Sequence, residues 1–307
     1  MINVFFSILP IFLLILTGFI SKKTTRNSEA FWELSDKFVY YLFFPALLIL
    51  DLSSTSFNPD QTITPILSTL LATLIIAIAA FSLKSLLRLE NKLFTSVFQG
   101  GTRYNSYVFI ALSQSLFGSE GVALSGIFVA YMIIATNIIS VLVLNKYGSN
   151  KKDNLSIFKS LAKNPLIIAA ATGCILSSLD ITISNPTRAY MTYLANAATP
   201  LSLMSVGAGL LITLETKKLI AIGHTIILKL VAMPILTFLF LKLLNASGAI
   251  AGIAMLYASM PTAGNAYILA RQMGGDAESM ASIITWTTVT SIVTITFTMG
   301  IWGIPGN

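Results

Sequence analysis

The sequence predicts an all-α polytopic membrane protein, with ten transmembrane helices in two inverted five-helix repeats and helices 4 and 9 broken. Three observations predict this class: the composition is apolar, the apolar residues fall into ten long stretches, and motifs of the first half recur in the second. Of the 307 residues, 55% are hydrophobic and only 10% are charged, whereas a soluble domain carries about 25% charged residues. So few charges exclude a soluble enzyme, a nucleic-acid-binding domain and a disordered chain.

Ten apolar stretches have the length that a membrane-spanning helix needs, which is roughly 20 residues. Numbered as spans 1 to 10, they cover residues 4–20, 36–52, 63–87, 95–117, 122–144, 165–179, 188–214, 225–244, 250–273 and 281–302. The longest polar connection lies between spans 5 and 6. We therefore predict a first five-helix repeat over residues 1–145, a cytoplasmic linker over 146–164 and a second, inverted repeat over 165–307.

The basic residues predict the orientation of the chain. Sixteen of the 19 Lys and Arg residues fall on one side of the spans, and cytoplasmic loops are the ones rich in such residues. Both termini are therefore predicted to be extracytoplasmic in a multi-pass protein of the plasma or inner membrane. Arg188 and Lys242 fall on the other side, and Arg103 lies within span 4. The sixteen are Lys22, Lys23, Arg26, Lys37, Lys84, Arg88, Lys92, Lys146, Lys151, Lys152, Lys159, Lys163, Lys217, Lys218, Lys229 and Arg271.

An internal repeat supports the division into two halves. Pro45 in span 2 recurs 155 residues later as Pro200 in span 7, and a Thr-x-x-Asn-x-Tyr motif begins at Thr102 in span 4 and at Thr262 in span 9. Because each half has five spans, the second must cross the membrane in the opposite sense. Inverted units of this kind recur in secondary transporters, which bind their substrates near the midplane. The alternative is a chance similarity between apolar segments.

Spans 4 and 9 are unusually polar for helices that contact lipid, because unsatisfied polar groups in hydrocarbon cost several kcal/mol each. Gly100 and Gly101 weaken the helix in span 4. Pro261 and Gly264 interrupt span 9. We predict helix breaks at these four residues, with freed backbone groups that bind polar substrates or ions. The alternative is that the motif asparagines only satisfy each other or the broken backbone.

Arg103 is a charged residue deep within span 4, at a cost of at least about 2.5–3.5 kcal/mol, and no acidic residue lies in the middle of any span. A guanidinium binds carboxylates through a planar fork, so an organic anion is the predicted ligand. The alternative is an arginine bonded to backbone carbonyls of the broken helix. The predicted substrate-binding residues are Arg103, Asn105, Thr102, Tyr107, Asn265, Thr262 and Tyr267.

The lack of intramembrane carboxylates also bears on coupling, because carboxylate-based proton relays and sodium antiporters need them. Neutral oxygens can still hold sodium, and Thr136, Asn137 and Thr287 are candidates to line a cavity or ion site. Their alternative role is hydrogen bonding between helices. Uncoupled transport is equally permitted, so Na⁺ or H⁺ coupling stays open. We expect no cofactor and no metal centre.

Three stretches carry a family resemblance: YYLFFPALLILDLS in span 2, GGTRYNSY in span 4 and MPTAGNAYILARQMGG in span 9. With them, almost the whole chain resembles the auxin efflux carrier family in its compact prokaryotic form, permeases for small organic acids. The resemblance implies the fold of bile acid:sodium symporters, with helices 1, 2, 6 and 7 as a scaffold domain and helices 3–5 and 8–10 as a transport domain. The broken helices 4 and 9 would cross near Asn105 and near residues 261–265.

The same resemblance implies scaffold prolines at Pro45 and Pro200 and a homodimer formed through the scaffold domain. In one respect this chain departs from the family. Many relatives carry Gly-x-Pro shortly after the asparagine of span 4, whereas this sequence continues as VFIAL. The resemblance therefore does not fix where span 4 breaks.

These features together predict a permease that moves a small organic carboxylate, of the auxin, malate or malonate class, by alternating access. The alternatives are a sodium-coupled symporter of a bile-acid-like or other organic anion, and a channel or sensor. An enzyme is not expected, because catalysis needs a nucleophile–base pair or metal ligands, and the one histidine, His224, falls at an interface. The expected partners are the substrate, the bilayer and a second copy of the chain, and not nucleic acid.

Overall fold

The computed structural model describes residues 2–25, 29–54, 59–149, 163, 165–210 and 218–303. Within these residues the chain forms helices, turns and short extended connections, and no strand, so the predicted all-α class is confirmed. The helices are α1 (Ile2–Thr24), α2 (Glu29–Phe38), α3 (Phe44–Ser53), α4 (Pro59–Leu86), α5 (Asn91–Thr102), α6 (Ser106–Tyr147), α7 (Pro165–Ser178), α8 (Asn185–Ala208), α9 (Leu219–Ile227), α10 (Met233–Leu243), α11 (Gly248–Ala258), α12 (Ala266–Met273) and α13 (Ala277–Trp302).

Five helical segments of the described chain are long and apolar enough to cross a membrane. These segments are Val4–Thr24, Thr62–Leu86, Asn91–Tyr147, Leu219–Leu243 and Ala277–Trp302. They support a multi-pass membrane protein, whereas the count of ten spans and the inverted repeat stay predictions. Most of the predicted linker lies outside the described residues, as do residues 211–214 of span 7 and the basic residues Arg26, Lys151, Lys152, Lys159 and Lys217.

Two helices contain a wide π-helical turn, and a proline explains each one. The turn Val39–Phe43 joins α2 to α3, and the turn Leu228–Ala232 joins α9 to α10. Each turn ends two residues before a proline, Pro45 or Pro234. Proline has no N–H to donate and its ring clashes with the carbonyl four residues earlier. The wider i→i+5 turn relieves that clash, so both helices continue through the proline.

The chain reverses direction inside α6 at a single residue, Gly118. Its φ of 64° and ψ of −151° interrupt the helical geometry, and a positive φ is readily adopted only by glycine. The rings of Phe109 and Phe128 lie 6.3 Å apart although 19 residues separate them. The halves of α6 before and after Gly118, which correspond to the second part of span 4 and to span 5, therefore pack against each other as a hairpin.

The helices pack in two groups. In the first, α1 runs along α8, and α3 packs on α7 and α8. In the second, α4 packs on α5, α10 and α11, while α13 packs on α5, α9 and α12. The first half of α6, which follows the break in span 4, also contacts α1 and α3, as the stacking of Tyr107 on Phe44 illustrates.

Candidate functional site

Spans 4 and 9 are each interrupted in the structure, and the interruptions fall within the repeated motif. In span 4, helix α5 ends at Thr102, residues 103–105 are extended, and α6 begins at Ser106. In span 9, α11 ends at Ala258, residues 259–265 are irregular, and α12 begins at Ala266. We call these the first break and the second break. Both predicted helix interruptions are present.

The two breaks contact each other directly through backbone hydrogen bonds. The backbone amide of Asn105 donates to the carbonyl of Pro261 at 2.8 Å. The hydroxyl of Thr262 donates to the carbonyl of Gly100 at 2.8 Å. The amide of Thr262 donates to the hydroxyl of Thr287 at 3.2 Å. Groups that the interruption removes from one helix are thus satisfied by the other broken helix and by α13, as a buried backbone requires.

The prediction that Gly100 and Gly101 break span 4 is wrong, because both residues are helical and the break begins after them at Arg103. Close packing explains the glycines instead. A Cβ atom on Gly100 would lie 2.5 Å from a methyl group of Thr225 and 2.7 Å from one of Ile283. Pro261 and Gly264 do lie in the second break, as predicted.

Arg103 lies at the first break and is 6% exposed. Its guanidinium donates to Gln99 Oε1 at 3.3 Å and to Asn265 Oδ1 at 3.0 Å. Both acceptors are neutral amides, and no carboxylate pairs with Arg103 among the described side chains. The residue also caps the C-terminal end of α5, where the helix dipole stabilises a positive charge.

The two motif asparagines have different contacts. Asn105 is 3% exposed, and its Oδ1 accepts from the amides of Tyr107 and Val108, so it caps the N-terminus of α6. Its Nδ2 is buried without a hydrogen-bond partner. Asn265 is exposed and precedes α12, but it makes no capping bond; its Oδ1 accepts from Arg103 instead. The asparagines do not bond to each other, but Asn105 satisfies the backbone at the break, as the alternative interpretation predicts.

Several of the other predicted site residues use their hydroxyl groups or rings in contacts within the protein. Fewer of these groups are therefore free to bind a substrate than the sequence predicts. The hydroxyl of Thr102 donates to the carbonyl of Phe98 within α5, and that of Thr136 donates to Met132 within α6. Tyr107 stacks on Phe44 with ring centroids 4.9 Å apart. The remaining two, Tyr267 and Asn137, are half-buried.

Lys229 is the main functional candidate that the sequence analysis missed. We counted it among the basic residues of the cytoplasmic side, around the connection between spans 7 and 8, although it falls inside predicted span 8; that count is wrong, because Lys229 lies in the π-helical turn within the segment Leu219–Leu243 and is 0% exposed. Its Nζ has no hydrogen-bond partner and lies 5.7 Å from the ring centroid of Tyr257. The run IILKLVAMP was the available signal, because apolar residues flank Lys229 on both sides within predicted span 8.

A polar cavity of about 200 Å³ lies between α3, α8 and the reversal at Gly118. Its lining includes Gln114, Asp51 and Arg188. Gln114 follows Asn105 by nine residues along α6, which corresponds to roughly 13 Å of helix. The cavity is therefore separate from the breaks, on the side that the charge pattern predicts to be extracytoplasmic.

At the opposite end of α5 and α13, an ion pair holds the second group of helices together. Lys218 Nζ lies 3.3 Å from Asp276 Oδ2, and Asp276 caps α13 by accepting from the amide and hydroxyl of Ser279. Burial raises the pKa of the Asp276 carboxyl, but the bonds from Ser279 and Lys218 outweigh burial and hold that pKa below its usual range. Among the described residues, no group of three His, Cys, Asp or Glu side chains is placed to bind a metal.

Known proteins resemble the chain as follows. A family model described as membrane transport protein matches residues 149–299. A protein of Rhizobium meliloti (strain 1021) with the name "Putative malonate transporter" is 26% identical over 297 residues, which cover 94% of this chain and 92% of the relative. A protein of Methanocaldococcus jannaschii with the name "Uncharacterized transporter" is 25% identical over 318 residues, which cover 96% of each chain.

Proposed function

We propose that this chain is a secondary transporter for a small organic carboxylate and a member of the auxin efflux carrier family, because the family model described as membrane transport protein matches residues 149–299. The proposed substrates are organic acids of the malonate, malate or auxin class. The name of the R. meliloti relative makes malonate the first one to test. The carboxylate would bind where the two breaks meet and reach either side of the membrane by alternating access.

The observation that carries this proposal is the environment of Arg103. The charge is buried among neutral partners, although buried arginines normally pair with a carboxylate. A guanidinium has five N–H donors, and Gln99 and Asn265 engage only two of its nitrogens. An anionic substrate would supply the missing carboxylate through a charge-assisted hydrogen bond.

Access to this arginine is supported by the second break. Asn265 and Gly264 are exposed although the surrounding residues of the second break are buried. Asn265 accepts directly from Arg103, so a solute that reaches the exposed asparagine lies one side chain from the guanidinium. We propose Arg103 and Asn265 as the main binding residues, with Thr262, Thr102, Tyr107 and Tyr267 forming the surrounding wall and Asn105 acting through the cap of α6.

The architecture that we propose around this site has ten spans in two inverted repeats and the bile acid:sodium symporter fold. The packing of α1 and α3 on α7 and α8 supports a scaffold built from spans 1, 2, 6 and 7. The packing of α13 on α5, α9 and α12 supports a transport domain that includes spans 4, 8, 9 and 10. Extracytoplasmic termini and a scaffold-mediated homodimer complete the proposal.

Uptake of labelled malonate, malate and indole-3-acetate into proteoliposomes tests the function. We expect saturable uptake of at least one of these acids. In the variant Arg103→Ala we expect an apparent affinity about 10- to 150-fold weaker, because a hydrogen bond to a charged group contributes about 1.5–3 kcal/mol. Arg103→Lys keeps the charge without the planar fork and should fall between the two.

The matched control is Lys242→Ala, which removes an exposed cation from α10 and should transport like the wild type. Wild-type affinity in Arg103→Ala would refute the assigned role of the arginine. Conductance steps in a planar bilayer without saturable uptake would instead favour a channel. The same assay with and without a sodium gradient tests the sodium-coupled alternative.

A further inference from the structure

Lys229 is a buried cationic side chain that the proposed binding site does not use. It is 0% exposed, and its Nζ lacks any hydrogen-bond partner. Lysine is almost never fully buried unless it is paired. The nearest described contact of the amine is the ring of Tyr257, with the centroid at 5.7 Å. A merely structural position would favour an apolar residue, so this amine requires another explanation.

The position of Lys229 along its helix corresponds to the middle of a bilayer. It follows Leu219 by ten residues in the 25-residue segment Leu219–Leu243, which corresponds to roughly 15 Å of helix. A hydrocarbon core is about 30 Å thick. The residue also lies on a π-helical turn, a feature that occurs frequently at functional sites.

No described carboxylate faces this amine. The π-helical turn packs against α4, α5 and α13, and Tyr257 of α11 faces the lysine. The carboxylates at the start of α13, Asp276 and Glu278, lie beside Lys218. The other charged residues of these helices and of the lysine's own helix whose side chains the structure describes are Lys84 over the rings of Phe94 and Tyr147, Lys92 at the exposed start of α5, Arg103 at the first break, and Lys242 over Phe238. His224 of α9 bonds to the carbonyl of Ile220.

Two aromatic side chains connect Lys229 to the first break. The ring centroids of Tyr257 and Tyr104 are 4.6 Å apart. Tyr104 lies within the first break, next to Arg103 in sequence, and its buried hydroxyl has no hydrogen-bond partner. The amine is therefore two side chains away from the proposed binding site, close enough for a charge bound there to act on it through a low-dielectric interior.

We propose that Lys229 couples transport to protons: its amine binds one proton when a carboxylate occupies the breaks and releases it when the carboxylate leaves. This inference rests on the proposed function. A bound anion stabilises a second positive charge near Arg103, whereas in the empty site the two cations repel each other. The proton comes from water on the side where the substrate enters and returns to water on the other side, so only an N–H bond forms and breaks. With a dicarboxylate such as malonate, the two cations balance the two negative charges.

Proteoliposomes with the membrane potential clamped by valinomycin and equal potassium test the coupling. An interior one pH unit more alkaline than the exterior should raise the steady-state malonate accumulation of the wild type up to about tenfold. Internal pyranine should report acidification on addition of malonate. In Lys229→Met, the pH gradient should not change the accumulation of malonate, and addition of malonate should not change the pyranine signal. Lys242→Met, on the same helix but exposed, should respond like the wild type.

The outcomes separate the two proposals. If the wild type shows no saturable uptake of any tested acid, the proposed function fails. If it transports malonate without proton movement, or with a response to sodium instead, the coupling inference is overturned and the function stands. Gradient-driven accumulation in Lys229→Met also overturns it. Lys229→Gln is the second variant should Lys229→Met not give a monodisperse protein, and the wild-type proton flux tests the inference without any variant.

Discussion

The two helix breaks share a motif but satisfy their polar groups in different ways. At the first break the asparagine caps the helix that follows, so its oxygen is used within span 4. At the second break the corresponding asparagine makes no cap and accepts from the arginine of the first. The first break is buried, whereas the second is exposed at residues 264 and 265. The same sequence motif thus caps a helix in one half and provides an exposed acceptor for Arg103 in the other.

This difference is the reason why the binding site that we propose includes both breaks. The first break provides the charge, Arg103, and the second provides the exposed acceptor that orients it, Asn265. The cap on α6 fixes the backbone of the first break, and with it the backbone of Arg103. The uncapped start of α12 has fewer constraints, so a substrate can displace the asparagine without breaking the helix end.

The largest expected effect is that of Asn265→Asp at the second break, and the same substitution at Asn105 in the first break is its control. Asn265→Asp would put a carboxylate 3.0 Å from the Arg103 guanidinium and pair it internally. The loss of the free charge and the repulsion of an anion should weaken malonate uptake by roughly 100-fold or more, since two such effects together exceed about 2.7 kcal/mol. Asn105→Asp is the matched control and should lose less activity, because aspartate caps helices as well as asparagine. Equal losses in the two variants would contradict the comparison.

Alanine substitutions of the glycines near the two breaks should also differ in their effect on stability. Gly100→Ala forces a Cβ against Thr225 and Ile283, and overpacking of this kind costs about 1–3 kcal/mol. Gly264→Ala meets no atom within 4 Å and should leave stability unchanged. Thermal unfolding in detergent, followed by size-exclusion chromatography, measures both variants. An unchanged melting temperature for Gly100→Ala would mean that the helices around the first break shift easily.

Replacing each motif asparagine by alanine should give a smaller difference. The change at the first break should affect stability, and the change at the second should affect substrate affinity. Asn105→Ala removes the cap of α6 and should destabilise the protein by about 1 kcal/mol. Asn265→Ala removes no cap and should reduce the affinity for the substrate without lowering the melting temperature. If Asn265→Ala is the less stable protein, the assignment of the structural role to the first break is wrong.

The smallest expected effect concerns Asp276, which lies between α12 and α13 and caps α13. The pKa of Asp276 lies below its usual range, so its charge contributes stability above the pKa of the unfolded chain, near 3.9, and that contribution is lost as the pH falls through the lower folded pKa. Asp276→Asn retains a cap without the charge and should lower stability at pH 7 by a few tenths of a kcal/mol. The difference between the two proteins should vanish once the pH falls below the lowered folded pKa of Asp276, as thermal unfolding over a pH series would report.

Composition predicted the all-helical class and an interruption in each of spans 4 and 9, because apolar length, the polar cluster of span 4 and Pro261 in span 9 act locally. It did not predict where span 4 breaks. Gly100 and Gly101 have only a weak local preference against helix, and close packing of Gly100 against Thr225 and Ile283, more than 100 residues away, leaves no room for a side chain there. A tertiary contact of this kind has no signature in the local sequence.

The misassigned lysine has a related cause. A charge near the edge of an apolar stretch is usually part of a loop, and the counting of basic residues relied on this tendency. Lys229 lies four residues after the start of predicted span 8, but the helix begins at Leu219, so the lysine lies ten residues from its start. Arg103 was predictable as an intramembrane charge because it lies eight residues inside predicted span 4.

The reversal at Gly118 has a consequence for how the chain enters the bilayer during synthesis. With one residue between them, the helices on its two sides have no hydrated loop that could wait in water while the first is released laterally. We therefore expect them to enter the bilayer together as a paired hairpin, with Phe109 packed near Phe128. The arginine and the extended backbone of span 4 then reach lipid with a neighbouring helix beside them, which lowers the cost of transferring a polar, charged segment into hydrocarbon.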